Sequence, residues 1–147
     1  MTLYVVKFGG STQTCRADIE RNTDYVLNKL QNKDKVILVM SAMEGVSKML
    51  RDTASGKKDK NKTLQELKEK YYKAGTEEAR TEIDSELKEL EQLFDNGESE
   101  AFIVKGEAHS AVLQKYSLIE RLKNLGLRKK VERYSGFKAG IKSDRLG

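Results

Sequence analysis

The run Val36-Ile37-Leu38-Val39-Met40 constrains the fold more than any other stretch. It is uninterrupted by polar residues and rich in β-branched side chains, so it reads as a central strand covered on both faces, as in a parallel sheet. Residues 3 to 8 are a second short apolar run, bounded by glycines, and read as another strand. Between them, Cys15, Ile19, Val26, Leu27 and Leu30 fall near one face at helical spacing, which predicts a helix from 15 to about 31. Asn32-Lys33-Asp34-Lys35 is a polar turn. Strand, helix and strand within forty residues make a βαβ unit, whose crossover is expected to be right-handed. The fold class predicted is α/β.

The rest of the chain reads as helical. Residues 55 to 62 are a charged, flexible loop. Leu64, Leu67, Tyr71 and Ala74, then Ala79, Ile83, Leu87, Leu90 and Phe94, predict an antiparallel helical hairpin over about 63–95. Gly75 and Thr76 sit at its turn, and its outer faces are rich in Glu and Lys. One long helix is predicted from about Glu98 to Asn124, with Gly106 inside it. A mid-helix glycine costs about 1 kcal/mol against alanine, so Gly106 is expected to permit a close approach. Glu107 would then face a crowded place and need a cationic partner, unless it is simply a surface glutamate. Gly126 stops the helix, and Val131-Glu132-Arg133-Tyr134 reads as a weak third strand.

Two stretches carry candidate chemistry. The first is Tyr4-Val5-Val6-Lys7-Phe8-Gly9-Gly10-Ser11-Thr12. Two glycines allow positive φ and bring a ligand close to bare N–H groups, a helix N-terminus follows, and Lys7 adds a full charge. These parts suit a phosphate; they equally suit a plain strand–turn–helix corner with an exposed lysine. The second is Ser41-Ala42-Met43-Glu44-Gly45-Val46-Ser47, at the carboxyl end of the next strand, where ligands collect in open parallel sheets. Gly9, Gly10, Ser11, Ser41 and Ser47 could converge there, or the two serines could merely cap a helix.

Composition narrows the classes. The net charge is +5, yet the basic residues are scattered, without the interleaved aromatics of a single-strand binder, so nucleic acid is not expected. No apolar run approaches the ~20 residues of a membrane helix. Nor does the first strand resemble a secretory signal. Cys15 is the only cysteine, which rules out an intramolecular disulfide and a four-thiolate zinc site and makes a reducing cytoplasm the default. Cys15 is expected to be packed on the first helix, His109 to be structural, and Tyr71 and Tyr72 to pack the hairpin.

At this point the chain resembles the amino-terminal part of an aspartate kinase, within the amino-acid kinase family. Lys7-Phe8-Gly9-Gly10-Ser11-Thr12 resembles that family's Lys-Phe-Gly-Gly-Thr/Ser-Ser signature. The segment from Ser41 to Ser47 resembles Ser-Ala-Met-Gly-Gly-Val-Thr, with Glu44 in place of a glycine. Gly106-Glu107 with Ser110 resembles Gly-Glu-x-x-Ser, with His109 where a Leu or Met is usual. Ala139-Gly140-Ile141-Lys142-Ser143-Asp144 resembles Ala-Gly-Ile-x-Thr-Asp. Family members continue into a Gly-Arg-Gly-Gly-Ser-Asp segment, an adenine-binding half and ACT regulatory domains. The resemblance therefore implies that residues 1–147 are an incomplete catalytic domain, inactive alone. It implies a three-layer αβα sandwich with a mainly parallel central sheet and an inserted helical hairpin.

The activity implied is transfer of the γ-phosphoryl of ATP, with Mg²⁺, to the β-carboxylate of L-aspartate. That carboxylate is already an anion at pH 7, with a pKa near ~4, so no general base is needed. Charge neutralisation and positioning remain the tasks. By resemblance, Lys7 offsets phosphate charge, Gly9, Gly10 and Ser11 cradle the phosphate, Ser41 and Ser47 hold substrate, and Glu107 pairs with the aspartate ammonium. No protein metal site is implied, and a homo-oligomer is. The competing expectation is a non-catalytic binding or assembly module derived from a truncated kinase.

Overall fold

β-branched residues favour both apolar runs as strands, and the two runs pair in parallel. In the computed structural model, which describes residues 3–30, 35–127 and 131–133, β1 (Leu3–Phe8) and β2 (Lys35–Met40) run in register from Leu3 opposite Lys35 to Phe8 opposite Met40. The crossover between them is α1 (Arg16–Lys29), preceded by a 3₁₀ turn (Gly10–Thr12). The helices that follow are α2 (Val46–Ala54), α3 (Lys60–Ala74), α4 (Arg80–Asp95), α5 (Ser99–Glu107) and α6 (Ser110–Asn124), with a second 3₁₀ turn (Glu77–Ala79) before α4.

Alternation along the strands sorts the sheet into two unlike faces. Val6, Phe8, Val36, Leu38 and Met40 pack on Val26 and Leu27 of α1 and Leu118 of α6. On the other face Leu3, Val5, Ile37 and Val39 are 58%, 66%, 50% and 47% exposed. Cover on both faces, expected for β2, is thus found on one, because the described residues supply one helical layer. The third layer of the expected sandwich is not among them.

The helices build a second core. Val46 and Leu50 of α2, Leu67 and Tyr71 of α3, Leu87 and Leu90 of α4, Phe102 of α5 and Leu113 of α6 are buried together. The α3–α4 hairpin forms as the apolar spacing predicted, but its seam belongs to this core and it does not stand out as an arm. Its start differs from the expected flexible loop. Asp59 caps α3 by accepting from the Lys62 N–H at 3.0 Å, and the Thr53 and Thr63 hydroxyls meet at 2.5 Å across the α2–α3 corner.

Four other expectations are corrected. The long helix over 98–124 is two helices. At Ala108 and His109 the N–H groups bond three residues back, to Lys105 and Gly106, so the backbone tightens and α6 leaves in a new register. Residues 131–133 are irregular, not a strand; Val131 packs beside the sheet core and Arg133 pairs with Glu86 at 2.5 Å, so side-chain anchors replace a ladder. Tyr134 and the segment 139–144 lie outside the described residues. Cys15 is exposed, because it stands at the cap before α1, off the buried stripe of Ile19, Asn22, Thr23 and Val26. Its thiol pKa is lowered, chiefly by the Asp18 backbone N–H. Ser47 does not cap α2 with its side chain; the cap position is Gly45, at φ 84°. No helix among the described residues is long and apolar enough to cross a membrane.

Gly106 permits the close approach its position suggested, and the neighbour is Leu50. A Cβ on Gly106 would lie 2.5 Å from Leu50 Cδ1, and Leu50 is fully buried. Gly106→Ala is therefore expected to destabilise the fold by about 1–3 kcal/mol despite its better helix propensity. Leu50→Ala alone should cost about 2–5 kcal/mol through the cavity it leaves. In the Leu50→Ala background, Gly106→Ala should become neutral or stabilising, a coupling that urea unfolding of the four proteins measures.

Candidate functional site

Parallel strands bring their carboxyl ends to one edge, and here a single carbonyl gathers the chain. Ser41 follows β2, and its N–H donates to Phe8 O at 3.0 Å. Its own carbonyl accepts from Gln13 Nε2 at 2.8 Å and from Ser110 Oγ at 2.6 Å. Gln13 is 1% exposed and also reaches Phe8 O at 3.2 Å and Gly9 O at 3.3 Å. One buried carboxamide therefore joins both strand tips to the turn after β1, and Ser110 joins the start of α6 to the same point. Gln13 was not apparent from sequence.

Beside this junction opens a cleft of about 660 Å³, lined by Gly10, Ser41, Ala42, Ser47, Arg51 and Glu107 among others. Gly10 belongs there by packing, since an added Cβ would sit 3.2 Å from Ala42 O. Across the cleft, the Ser47 hydroxyl donates to Glu107 Oε2 at 2.5 Å. That pair follows from the helix contact already described: Gly106 lets α5 close onto Leu50, and the residue beside it meets the first turn of α2. The partner of Glu107 is thus a hydroxyl, and among the described residues no Lys or Arg ion-pairs with it. Another depression, of about 20 Å³, lies by Arg16 and Glu120 and has room only for water.

The structure brings together Gly10, Ser41, Ser47 and Glu107. Lys7, Gly9 and Ser11 are not among the residues lining the cleft. Lys7 lies on the exposed face of β1, opposite Val39, because its neighbour Phe8 takes the buried face. Gly9 is extended at φ −85°, and neither it nor Gly10 uses the positive φ open to glycine. Ser11 is exposed in the 3₁₀ turn. The helix whose N-terminus borders the cleft is α2, through Gly45 and Ser47. Lys48 and Arg51 line it too.

Comparison with solved structures places this architecture. The fold is similar to that of an aspartokinase. One such structure is E. coli aspartokinase III in complex with aspartate and ADP (R-state): 22% identity, TM-score 0.67, covering 81% of this chain and 29% of that one. Another is E. coli aspartokinase III in complex with lysine and aspartate (T-state): 21% identity, TM-score 0.69, covering 86% of this chain and 30% of that one. At this identity the likeness shows the fold alone, and the chain spans under a third of those enzymes. No family model and no curated protein matches it.

His109, the only histidine, is 3% exposed and is a core residue of this aspartokinase-like fold. Its ring meets Tyr71 edge-on at 5.5 Å. Burial, then the nearby charges of Arg133 and Lys105, push its pKa down to about 3, and burial pushes the Tyr71 phenol up.

Two outcomes follow. Replacing Gln13 with Leu removes one donor from three carbonyls that each keep another: Ser41 N–H on Phe8, Thr12 N–H on Gly9 and Ser110 Oγ on Ser41. It is expected to cost about 0.5–1.5 kcal/mol in urea unfolding. The second concerns pH. The unfolded chain takes up a proton on His109 near pH 6.5, and the folded imidazole does so only near 3. The neutral ring's contribution is thus complete above pH 6.5 and is lost as pH falls toward 3, by up to about 1.4 kcal/mol per pH unit. The stability difference between wild type and His109→Gln should carry that slope.

Proposed function

We propose that this chain forms the amino-acid half of a cytoplasmic phosphotransferase site that acts on the β-carboxylate of L-aspartate with ATP. The observation that carries the reading is the meeting of Ser41, Ser47 and Glu107 with Gly10 in one cleft at the strand tips. In this reading Glu107 receives the substrate ammonium, which supplies the cation that carboxylate lacks, and Ser47 fixes the carboxylate's orientation. Ser41 adds its hydroxyl. The turn at Gly9, Gly10 and Ser11 cradles the transferring phosphoryl group, and Lys7 offsets its charge from the adjoining face. Among the described residues no group of His, Cys, Asp and Glu could hold a metal ion. In this reading Mg²⁺ would arrive on the nucleotide's phosphates, as it usually does in phosphoryl transfer. The substrate's carboxylate attacks the γ-phosphorus and ADP departs, so the protein's task is placement and charge balance.

A second reading is favoured by the bare outer face of the sheet. Leu3, Val5, Ile37 and Val39 form an apolar surface suited to association, and a homo-oligomer built on it needs no catalysis. Light scattering separates the two: Val5→Lys with Ile37→Lys should dissolve an assembly of that kind and leave a kinase cleft intact.

The cleft reading is tested by titrating L-aspartate into the chain and following backbone amide shifts. Glu107→Gln is expected to weaken binding at least about tenfold, and Ser47→Ala less, with the fold unchanged by circular dichroism. Unaltered affinity in Glu107→Gln would refute an ammonium site there. Hydroxamate trapping is expected to detect no acyl phosphate from the chain alone.

A further inference from the structure

A buried hydroxyl without a partner lines the small depression beside Arg16 and Glu120. It belongs to Thr76, in the turn between α3 and α4, and the residue is 4% exposed. Thr76 serves the second 3₁₀ turn through its backbone, whose carbonyl accepts from Ala79 N–H at 3.2 Å, and its side chain makes no cap bond. A buried hydroxyl rarely goes without a partner, and where the protein supplies none, ordered water commonly does. Ser117 of α6 lines the same space. Among the described residues its Oγ bonds Thr23 Oγ1, at 2.7 Å, and a hydroxyl has capacity for more than one bond.

The charges around this space answer one another. Arg16 Nε bonds Glu20 at 3.0 Å, Arg16 Nη2 lies 4.0 Å from Glu120, and Arg121 pairs with Asp24. Two arginines and two glutamates in the wall cancel, so nothing there selects an ion of either sign. Ile19 and Ala74 complete the wall. A space of about 20 Å³ admits one water and no organic molecule. We propose that Thr76 Oγ1 and Ser117 Oγ hold one internal water between them. It gives the Thr76 hydroxyl the partner its burial calls for. It also ties the α3–α4 turn to α6, beside the direct bond from Arg16 Nη1 of α1 to Gly75 O at 3.1 Å. Both helices reach under the sheet, α1 with Val26 and α6 with Leu118, so the water helps to fasten the hairpin to the sheet. The water site shares no residue with the cleft.

Thr76→Val in the 147-residue chain gives a test decided by sign. Valine keeps the shape of threonine and removes the hydroxyl. If a water bridges Thr76 and Ser117, the variant loses a bond, and its unfolding equilibrium constant in urea should rise about three- to tenfold. If the hydroxyl has no partner, its removal leaves stability equal or higher. Water-oxygen magnetic relaxation dispersion counts long-lived internal waters directly. It should find about one fewer in Thr76→Val than in wild type, while Thr76→Ser, which keeps the hydroxyl, keeps the count. Equal counts in wild type and Thr76→Val overturn the proposal, as does a Thr76→Val chain at least as stable as wild type. Exchanging sodium chloride for ammonium chloride at equal ionic strength should leave wild-type stability unchanged. A gain in ammonium that Thr76→Val lacks would mean a cation in the site and overturn the proposal as well.

Discussion

Everything in this fold hangs from the Ser41 carbonyl. A parallel pair of strands has no hairpin to hold it and is marginal alone. Here the buried Gln13 carboxamide bonds both strand tips, and Ser110 brings the start of α6 to the same oxygen. From that fixed point α6 runs through both cores, with Val112 and Leu113 among the helices and Leu118 under the sheet. The sheet and the helical bundle are therefore joined by α6, whose start is held by a hydrogen bond, and by α1, which buries Ile19 among the helices and Val26 under the sheet.

The cleft depends on a second contact of a different kind. Two helices cannot approach closely at a position that carries a side chain, and Gly106 against Leu50 removes that obstacle for α2 and α5. Glu107 and Ser47 flank the contact, so the carboxylate and the hydroxyl meet because the glycine lets them. Packing and chemistry are one event at this place. A residue that fills the notch moves the carboxylate as well as the core.

Much of this was legible from residue order, and the failures have physical causes. Strand β2 was readable from its apolar run, but such a run cannot say whether a second layer is present to cover it. The period of two did contain the placement of Lys7: with Phe8 buried, Lys7 lies on the exposed face of β1. That Glu107, Ser41 and Ser47 border one cleft was legible in part, because a mid-helix glycine marked a close contact beside Glu107 and the serines followed a strand tip. Gln13 was not, since a lone polar residue between a glycine turn and a helix looks like any loop residue until its burial is known. The break at Ala108 and His109 was hidden as well, because both residues are compatible with helix and the Ser110 bond to Ser41 that accompanies the break is a long-range contact.

The hairpin shows how an apparent appendage becomes structural. Glu86 on α4 is nearly buried, and its carboxylate meets Arg133 at 2.5 Å, with Lys105 of α5 at 3.4 Å and His109 at 3.7 Å. A buried ion pair is weak evidence for stability, because desolvation offsets most of the attraction. Removing one partner is another matter, since the charge left behind stays in an apolar place. Glu86 therefore acts more through geometry than through energy. It admits one arrangement of α4, α5 and the segment at 131–133, and penalises the others. The neutral His109 beside it belongs to the same logic: a ring that refuses a proton adds no third positive charge beside Lys105 and Arg133, which share one carboxylate.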